Sequence, residues 1–330
     1  MAPKVSILIR SMDRTTLPRA LASAAMQTYS NIEIVVVSAC GTDHGPLPSQ
    51  WADRPLRFIP SNARLDRAAA ANVTLEAATG EWLNFLDDDD ELLPNHVQTL
   101  LDGEADGRRS RLIYSRTIVV GDAGRAMSFG SVHQPLDLLE HSQFHMQAAI
   151  FHRSLLALGV RFDVTLPVHE DLDFWIQCAQ HTDFRFVDQF TNRWHAFIGT
   201  SGAGGGANYN PDLITSVQHR VQAKWVHLVP KWAETLEPSL VIERGRSALK
   251  TGNVVLALAL LEHALERAPT DINALNLAGM ANLRSGNAAR AVELITRSTQ
   301  ISPNHPGLMK NLQLAQEAAA QLVPSGQLSH

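Results

Sequence analysis

Between residues 4 and 197 short β-rich runs alternate with helical patterns, and this alternation limits the fold more than any other feature of the sequence. VSILI (5–9) is followed by Thr15-Thr16 as a helix cap, Pro18 in the first turn, and Leu17, Leu21 and Ala24 spaced as one helix face. IEIVVV (32–37) is almost continuously apolar, which predicts a strand buried on both faces. A polar Gly/Pro loop (41–56) and LRFIP (56–60) lead to a second helix with Ala71, Leu75 and Ala78 on one side. WLNFL (82–86) predicts the next strand, and Pro94 opens a helix with Val97, Leu100 and Leu101 inward. Strand and helix in this rhythm predict an α/β fold, an open, Rossmann-like, mostly parallel sheet with helices on both faces. Ligands in such sheets bind beyond the carboxyl ends of the strands, so the chemistry is expected there.

The last third has a different pattern. Gly245 and Gly279, Gly252 and Gly286, Ala257 and Ala291, and Pro269 and Pro303 are each 34 residues apart. Small residues where two helices cross, with Pro where the second one ends, match a tetratricopeptide helix–turn–helix unit. Residues 238–271 and 272–305 therefore read as two such repeats and 306–322 as a capping helix, an all-α module behind a first, α/β domain over 1–225 and a connector over 226–237. Two repeats fall short of the three usually needed for independent stability, so the module is expected to lean on the first domain or on another subunit.

At 330 residues, two domains with real cores are the natural division. With 28 basic and 33 acidic side chains the net charge is −5, and no stretch clusters Lys and Arg as a nucleic-acid duplex or an anionic membrane surface requires. The first apolar run is too short to span a bilayer, and neither a transmembrane segment nor a signal peptide is expected. Cys40 and Cys178 have no metal-ligand spacing, which points to a reduced, cytoplasmic setting.

Asp87, Asp88, Asp89 and Asp90 follow directly on WLNFL, on the ligand side of the predicted sheet. Crowded carboxylates offer hard oxygen donors to a divalent cation such as Mn²⁺ or Mg²⁺; the alternative is a solvated turn that caps the next helix. A second acidic group, Glu170, Asp171 and Asp173, stands in the first turn of a helix predicted over HEDLDFWIQCAQ (169–180), with Leu172, Trp175, Ile176 and Ala179 as its apolar face. The helix dipole alone can account for acids there.

FLDDDDELLP resembles the Asp-x-Asp segment of the inverting, GT-A-fold family-two glycosyltransferases, which move a sugar from a nucleotide diphosphate to an acceptor hydroxyl. The resemblance runs over about residues 4–197 through VSILIRSMDR, the helix ending in MQTY, NVTLEAATGEWLNFLDDDD, and FHRSLLALGVRFD followed by Glu170-Asp171. It implies that Asp87 and Asp89 hold the metal and diphosphate, with Asp88 as the variable middle position on the donor side. It also implies Asp171 as general base, with Glu170 positioning the acceptor or Asp171, and His195 near the metal. The Gly-rich loop 199–208 is a weaker candidate for closing over phosphates. Relatives of this kind build cell-surface polysaccharide, so the expected partners are a nucleotide-diphosphate sugar and a glycan, lipid-linked or protein acceptor, at the cytoplasm or the inner face of the membrane. The repeats are then free to bind a protein partner or a second copy of the chain.

The chain departs from the family pattern on the donor side. Ser38-Ala39 replaces the usual base-binding Asp, and Arg10-Ser11-Met12-Asp13 replaces a Pro-x-Tyr-Asn run. Arg10 is then expected to face a phosphate and Asp13 a base or ribose, while Arg67 takes the place of an Arg usually found where Ala71 stands. The missing Asp is the best argument for a rival, non-catalytic scaffold acting through its repeats. A nucleotidyltransferase fits less well, because SMDR lacks the Gly-rich phosphate loop.

Overall fold

The computed structural model describes residues 2–103, 110–121, 126–132, 134–196 and 209–321. The chain divides into two compact units, residues 1–221 and 222–330, parting inside one helix rather than in a flexible linker.

Among the described residues of the first unit, ten strands form one sheet. They are β1 (Val5–Ser11), β2 (Ile32–Ser38), β3 (Gln50–Trp51), β4 (Arg54–Ile59), β5 (Trp82–Asp87), β6 (Glu91–Leu92), β7 (Leu112–Val120), β8 (Ala126–Phe129), β9 (Ala149–His152) and β10 (Phe184–His195). The order is β3-β4-β2-β1-β5-β9-β7-β10-β6, with β8 on β7. β4, β2, β1 and β5 are mutually parallel, as the alternating pattern predicts. β9 then runs antiparallel between β5 and β7, so β7 and its parallel neighbour β10 resume the first direction. The sheet is thus mixed, with six strands one way and β3, β6, β8 and β9 reversed.

β1 and β2 are buried along their whole length, polar residues included. Their polar groups are satisfied internally, as burial requires: Glu33 accepts from Lys4 Nζ (2.6 Å), Ser6 Oγ (2.5 Å) and the Thr79 amide (2.7 Å). Gly80 also donates to Ser6 Oγ, and a Cβ there would lie 2.6 Å from the Ser6 nitrogen, so this turn admits only glycine.

Helices α1 (Leu17–Ala25), α2 (Arg67–Ala77) and α3 (His96–Asp102) cover the sheet. The core joins Leu17, Leu21 and Ala24 of α1 to Ile7, Ile9, Ile34 and Val36, and Val97 and Leu100 of α3 enter the same cluster. Thr16 does not cap α1 through its side chain as expected, because its backbone is already helical; the Leu17 amide takes the Arg14 carbonyl instead. α2 does have a side-chain cap, Asp66 accepting from Ala69 N–H at 2.7 Å, which fixes Arg67 as its first residue. Helix α4 (Glu170–Ala179) buries more than one face: Phe174 and Cys178 join the predicted Leu172, Trp175 and Ile176, while Ala179 is only half-buried.

Helix α5 (Pro211–Trp225) spans the unit boundary. The second unit continues with α6 (Val229–Ala233), α7 (Pro238–Lys250), α8 (Val254–Arg267), α9 (Ile272–Arg284), α10 (Ala288–Ile301) and α11 (Pro306–Gln321). The segment read as a connector is therefore largely helical. α7/α8 and α9/α10 repeat each other at the 34-residue period. Gly252 and Gly286 take left-handed φ of +81° and +87° at the turns, and the next residues, Asn253 and Asn287, cap α8 and α10. Gly245 lies against Leu261 and Gly279 against Ile295, so each pair of helices approaches closely where a side chain would intervene.

Candidate active site

β1 and β5 are adjacent and parallel, and their register sets Arg10 beside Asp87 at the carboxyl end of the sheet. The Arg10 guanidinium donates to Asp87 Oδ1 at 2.6 Å through one Nη and at 3.2 Å through Nε. Its other Nη donates to Glu170 Oε1 at 3.1 Å. One buried cation thus joins two acidic groups 83 residues apart in the chain (170 − 87). Burial opposes the charge on Arg10, but Asp87 and then Glu170 outweigh it and raise its pKa. Arg67, from the start of α2, places a guanidinium nitrogen 3.9 Å from the same Glu170 oxygen. It reaches Glu170 from one helical turn before Ala71.

Below these groups runs a column of aromatic rings. Phe85 of β5 meets Phe162 edge-on (5.3 Å), Phe162 stacks on Phe174 of α4 (4.2 Å), and Arg10 lies over Phe85 at 5.9 Å. Such pairs add about 0.5–1.5 kcal/mol each beyond area burial, so the strand carrying Asp87 and the helix carrying Glu170 share one rigid mount. His169 precedes α4 with φ of +58°, a strained left-handed conformation for a side-chain-bearing residue that turns the chain into the Glu170-Asp171 turn.

The four aspartates separate by environment. For Asp87, burial acts upward but Arg10 and Arg67 outweigh it, leaving its pKa lowered. Asp88 is fully buried, accepts from the Met12 amide at 2.7 Å and pairs with Arg14. Its carboxylate braces the 11–14 loop against the acidic turn. Burial and then Asp87 push Asp89 up to about 6, and the same two causes in the same order push Asp90 well above the ordinary carboxylate range. Asp90 accepts from the His195 amide at 2.8 Å. The helix-cap alternative does not hold, since α3 starts only at His96, behind Asn95.

Asp87, Asp89 and Asp90 bring one carboxylate oxygen each within 4.8 Å of one another. This all-oxygen set suits a hard divalent cation, and a positive charge there would relieve the burial and repulsion that raise Asp89 and Asp90. Asp90, read from the sequence only as an extra acid, belongs to this set. The His195 ring does not: Nε2 lies 3.4 Å from Glu91 Oε1, burial and then Arg19 lower its pKa, and its link to the acids is through its backbone amide.

Asp13 and Ser38 lie apart from this cluster. Asp13 has φ of +56°, and its carboxylate accepts from the Gly45 amide at 2.9 Å. Ser38 is fully buried and donates to the Gly41 carbonyl at 2.7 Å, so its hydroxyl helps hold the turn after β2. The Gly-rich loop 199–208 lies outside the described residues.

A cavity of about 290 Å³ opens among these groups, bordered by Arg10, Arg67, Asp87, Asp90, Glu170 and Asp171. Burial, and then the neighbouring Glu170, raise the pKa of Asp171; its Oδ1 accepts from the Leu172 amide at 2.8 Å. Phe129, His145 and Trp194 form part of the wall, and sequence reasoning missed all three. His145 lies between the two aromatic rings at 4.5 and 4.2 Å, and burial lowers its pKa to about 4. No local pattern marks them, because they come from β8, β10 and the turn before β9.

An open α/β sheet with aspartates at the end of a central strand and an acidic pair on a neighbouring helix is the GT-A glycosyltransferase fold. The glycosyl transferase family 2 model matches residues 6–146, within the first unit. The succinoglycan biosynthesis protein ExoO of Rhizobium meliloti is 26% identical over 187 residues, which are 51% of this chain and 53% of that one. A GalNAc(5)-diNAcBac-PP-undecaprenol beta-1,3-glucosyltransferase of Campylobacter jejuni is 31% identical over 110 residues, 32% of this chain and 36% of that one. Among solved structures, S. aureus TarS 1-349 in complex with UDP-GlcNAc has a TM-score of 0.55 at 16% identity, covering 96% of this chain and 92% of that one. The matched stretches span 53%, 63% and 58% of the first relatives' lengths and 51%, 54% and 49% of this chain. No helix among the described residues is long and apolar enough to cross a membrane.

Proposed function

We propose that this protein is an inverting glycosyltransferase that moves a sugar from a nucleotide-diphosphate donor to an acceptor hydroxyl during cell-surface polysaccharide synthesis. The observation that carries the reading is the Arg10 bridge, which ties Asp87 to Glu170 at the edge of one cavity. A donor-binding acid and an acceptor-activating acid must serve the same bond, and the two acidic groups border one space. The family and the relatives' polysaccharide-building names support the reaction class.

Asp87, Asp89 and Asp90 would hold Mn²⁺ or Mg²⁺, which when bound supplies positive charge to the diphosphate leaving group. Arg67 and Arg10 favour the negative charge that develops there. Asp171 takes the proton of the acceptor hydroxyl as that oxygen attacks the anomeric carbon from the face opposite the diphosphate, inverting it. Its raised pKa improves the match between base and hydroxyl. Glu170, held by Arg10 and Arg67, keeps Asp171 and the acceptor in register. UDP-GlcNAc is the first donor to try, because the TarS complex contains it. Residues 238–305 are read as two tetratricopeptide repeats that bind a protein partner or a second copy, with the enzyme working at the cytoplasmic side of the membrane.

The test is a panel of nucleotide sugars with and without Mn²⁺, followed by thermal stabilisation and release of nucleoside diphosphate. Asp89→Ala is expected to lose metal-dependent donor binding. Asp171→Asn is expected to bind donor as wild type does while turnover falls about 10²–10⁴-fold. Wild-type turnover by Asp171→Asn removes it as base, and a protein that binds a partner but no nucleotide sugar is a scaffold instead.

A further inference from the structure

Arg161 and Phe162 lie in no helix or strand, yet their peptide groups are paired as those of a strand would be. The Gln177 carboxamide accepts from the Arg161 amide at 3.1 Å and donates to the Arg161 carbonyl at 2.8 Å. The Asn72 carboxamide does the same for Phe162, accepting from its amide at 3.0 Å and donating to its carbonyl at 2.9 Å. A carboxamide holds a donor and an acceptor in one plane, so it can stand in for the peptide group of a neighbouring strand. Successive residues of an extended chain pair on opposite sides, and the two partners accordingly come from different helices, Gln177 from α4 and Asn72 from α2.

These are the two helices that carry Arg67 and the Glu170-Asp171 turn. α2 starts at Arg67, less than two turns before Asn72, and Arg67 approaches Glu170 to 3.9 Å. Gln177 also donates to Asp173 Oδ2 at 2.7 Å, and Asp173 is fully buried in the first turn of α4, beside Glu170 and Asp171. A run of hydrogen bonds thus leads from α2 through residues 161 and 162 to the acidic turn. The Phe162 ring already stacks on Phe174, but stacked rings tolerate sliding, whereas hydrogen bonds weaken steeply off their axis. The two carboxamides therefore set the register of that packing. Neither is among the described residues that border the cavity, so their effect on the reaction passes through other groups.

We infer that Asn72 and Gln177 are positioning residues: by clasping residues 161 and 162 between α2 and α4 they hold the Glu170-Asp171 turn where Asp171 meets the acceptor hydroxyl. The inference rests on the glycosyl-transfer reading for the reaction served, and not for the clasp itself.

Hydrogen exchange on the full chain without ligand, read by mass spectrometry, tests the clasp. Asn72→Leu and Gln177→Met keep the approximate shape of each side chain and remove its hydrogen bonds to the clasped residue. In each variant exchange is expected to quicken about tenfold over residues 170–176 as well as at 161–162, as the loss of two ordinary hydrogen bonds predicts, and to keep its wild-type rate over β1 and β5. Quickening confined to 161–162, or spread equally over β1 and β5, overturns the inference. Kinetics with the nucleotide sugar that wild type turns over best test what the clasp serves. Each variant is expected to bind that donor as wild type does, while kcat falls about tenfold or more. In an Asp171→Asn background neither substitution should lower kcat further, because the group they position is gone. An unchanged kcat, or the same further fall in that background, also overturns the inference. A wild-type protein that turns over no nucleotide sugar removes the glycosyl-transfer reading and leaves the clasp to be decided by exchange alone.

Discussion

Glu33 is an acid in the middle of a buried strand, and its carboxylate is held by Lys4, Ser6 and Thr79. Burial pushes its pKa up, but these partners outweigh burial and bring it from 4.5 down to about 2. A depressed carboxylate stabilises the fold fully above its unfolded pKa and loses that contribution as pH falls through the folded one, here between about 4.5 and 2. Glu33→Gln should therefore destabilise the protein by about 1–3 kcal/mol at pH 7, the range for a disturbed buried hydrogen-bond network. The gap to wild type should narrow below pH 4.5 and vanish near 2; urea unfolding across pH measures it. A gap that is the same at pH 3 and pH 7 would mean that shape, not charge, holds this site. IEIVVV reads as buried on both faces, Glu33 included, but nothing in it names the partners of this acid, because Lys4 and Thr79 come from other parts of the chain.

At the scale of elements, the helix pairs of the second unit depend on glycine. A Cβ on Gly245 would lie 2.6 Å from Leu261 Cγ, well inside van der Waals contact. Gly245→Ala gains up to about 1 kcal/mol of helix propensity, whereas overpacking costs about 1–3 kcal/mol, so the variant should be less stable. Combined with Leu261→Ala, the two changes should be non-additive by at least about 0.5 kcal/mol, since the truncated side chain makes room for the new methyl. The 34-residue period placed this glycine correctly because a close helix crossing repeats with the helices. Elements with no period were harder to read. β9, antiparallel between β5 and β7, is four residues long, and nothing in AIFH states its direction.

At the scale of the molecule, the described residues include a separate core cluster in each unit, which implies two places where unfolding can be influenced. One centres on Ile7, Ile34, Leu86 and their neighbours, the other on Ala291, Ile295 and Ala315. A ligand that binds only folded protein stabilises the unit holding its site, by about 2.7 kcal/mol at a hundredfold excess over Kd. Mn²⁺ with UDP should therefore raise the melting of the unit ending at Val221, and EDTA should reverse the gain. Gly245→Ala should instead lower the melting of the unit beginning at Gln222. Calorimetry that shows a single transition moved by both would contradict this division.

The sequence by itself determined the strand and helix order, the carboxyl-end position of the aspartates, the acidic turn of α4 and the 34-residue helix period, because all of these follow from local periodicity and from side-chain burial along one element. Tertiary structure decided which acids act together. Arg10 meets Asp87 through strand register and Glu170 through the packing of α4, Asp88 turns to the 11–14 loop instead, and Asp90 joins Asp87 and Asp89. The wall of Phe129, His145 and Trp194 likewise exists only after three distant segments meet. Such juxtapositions depend on side-chain direction across elements, which no single stretch of chain encodes.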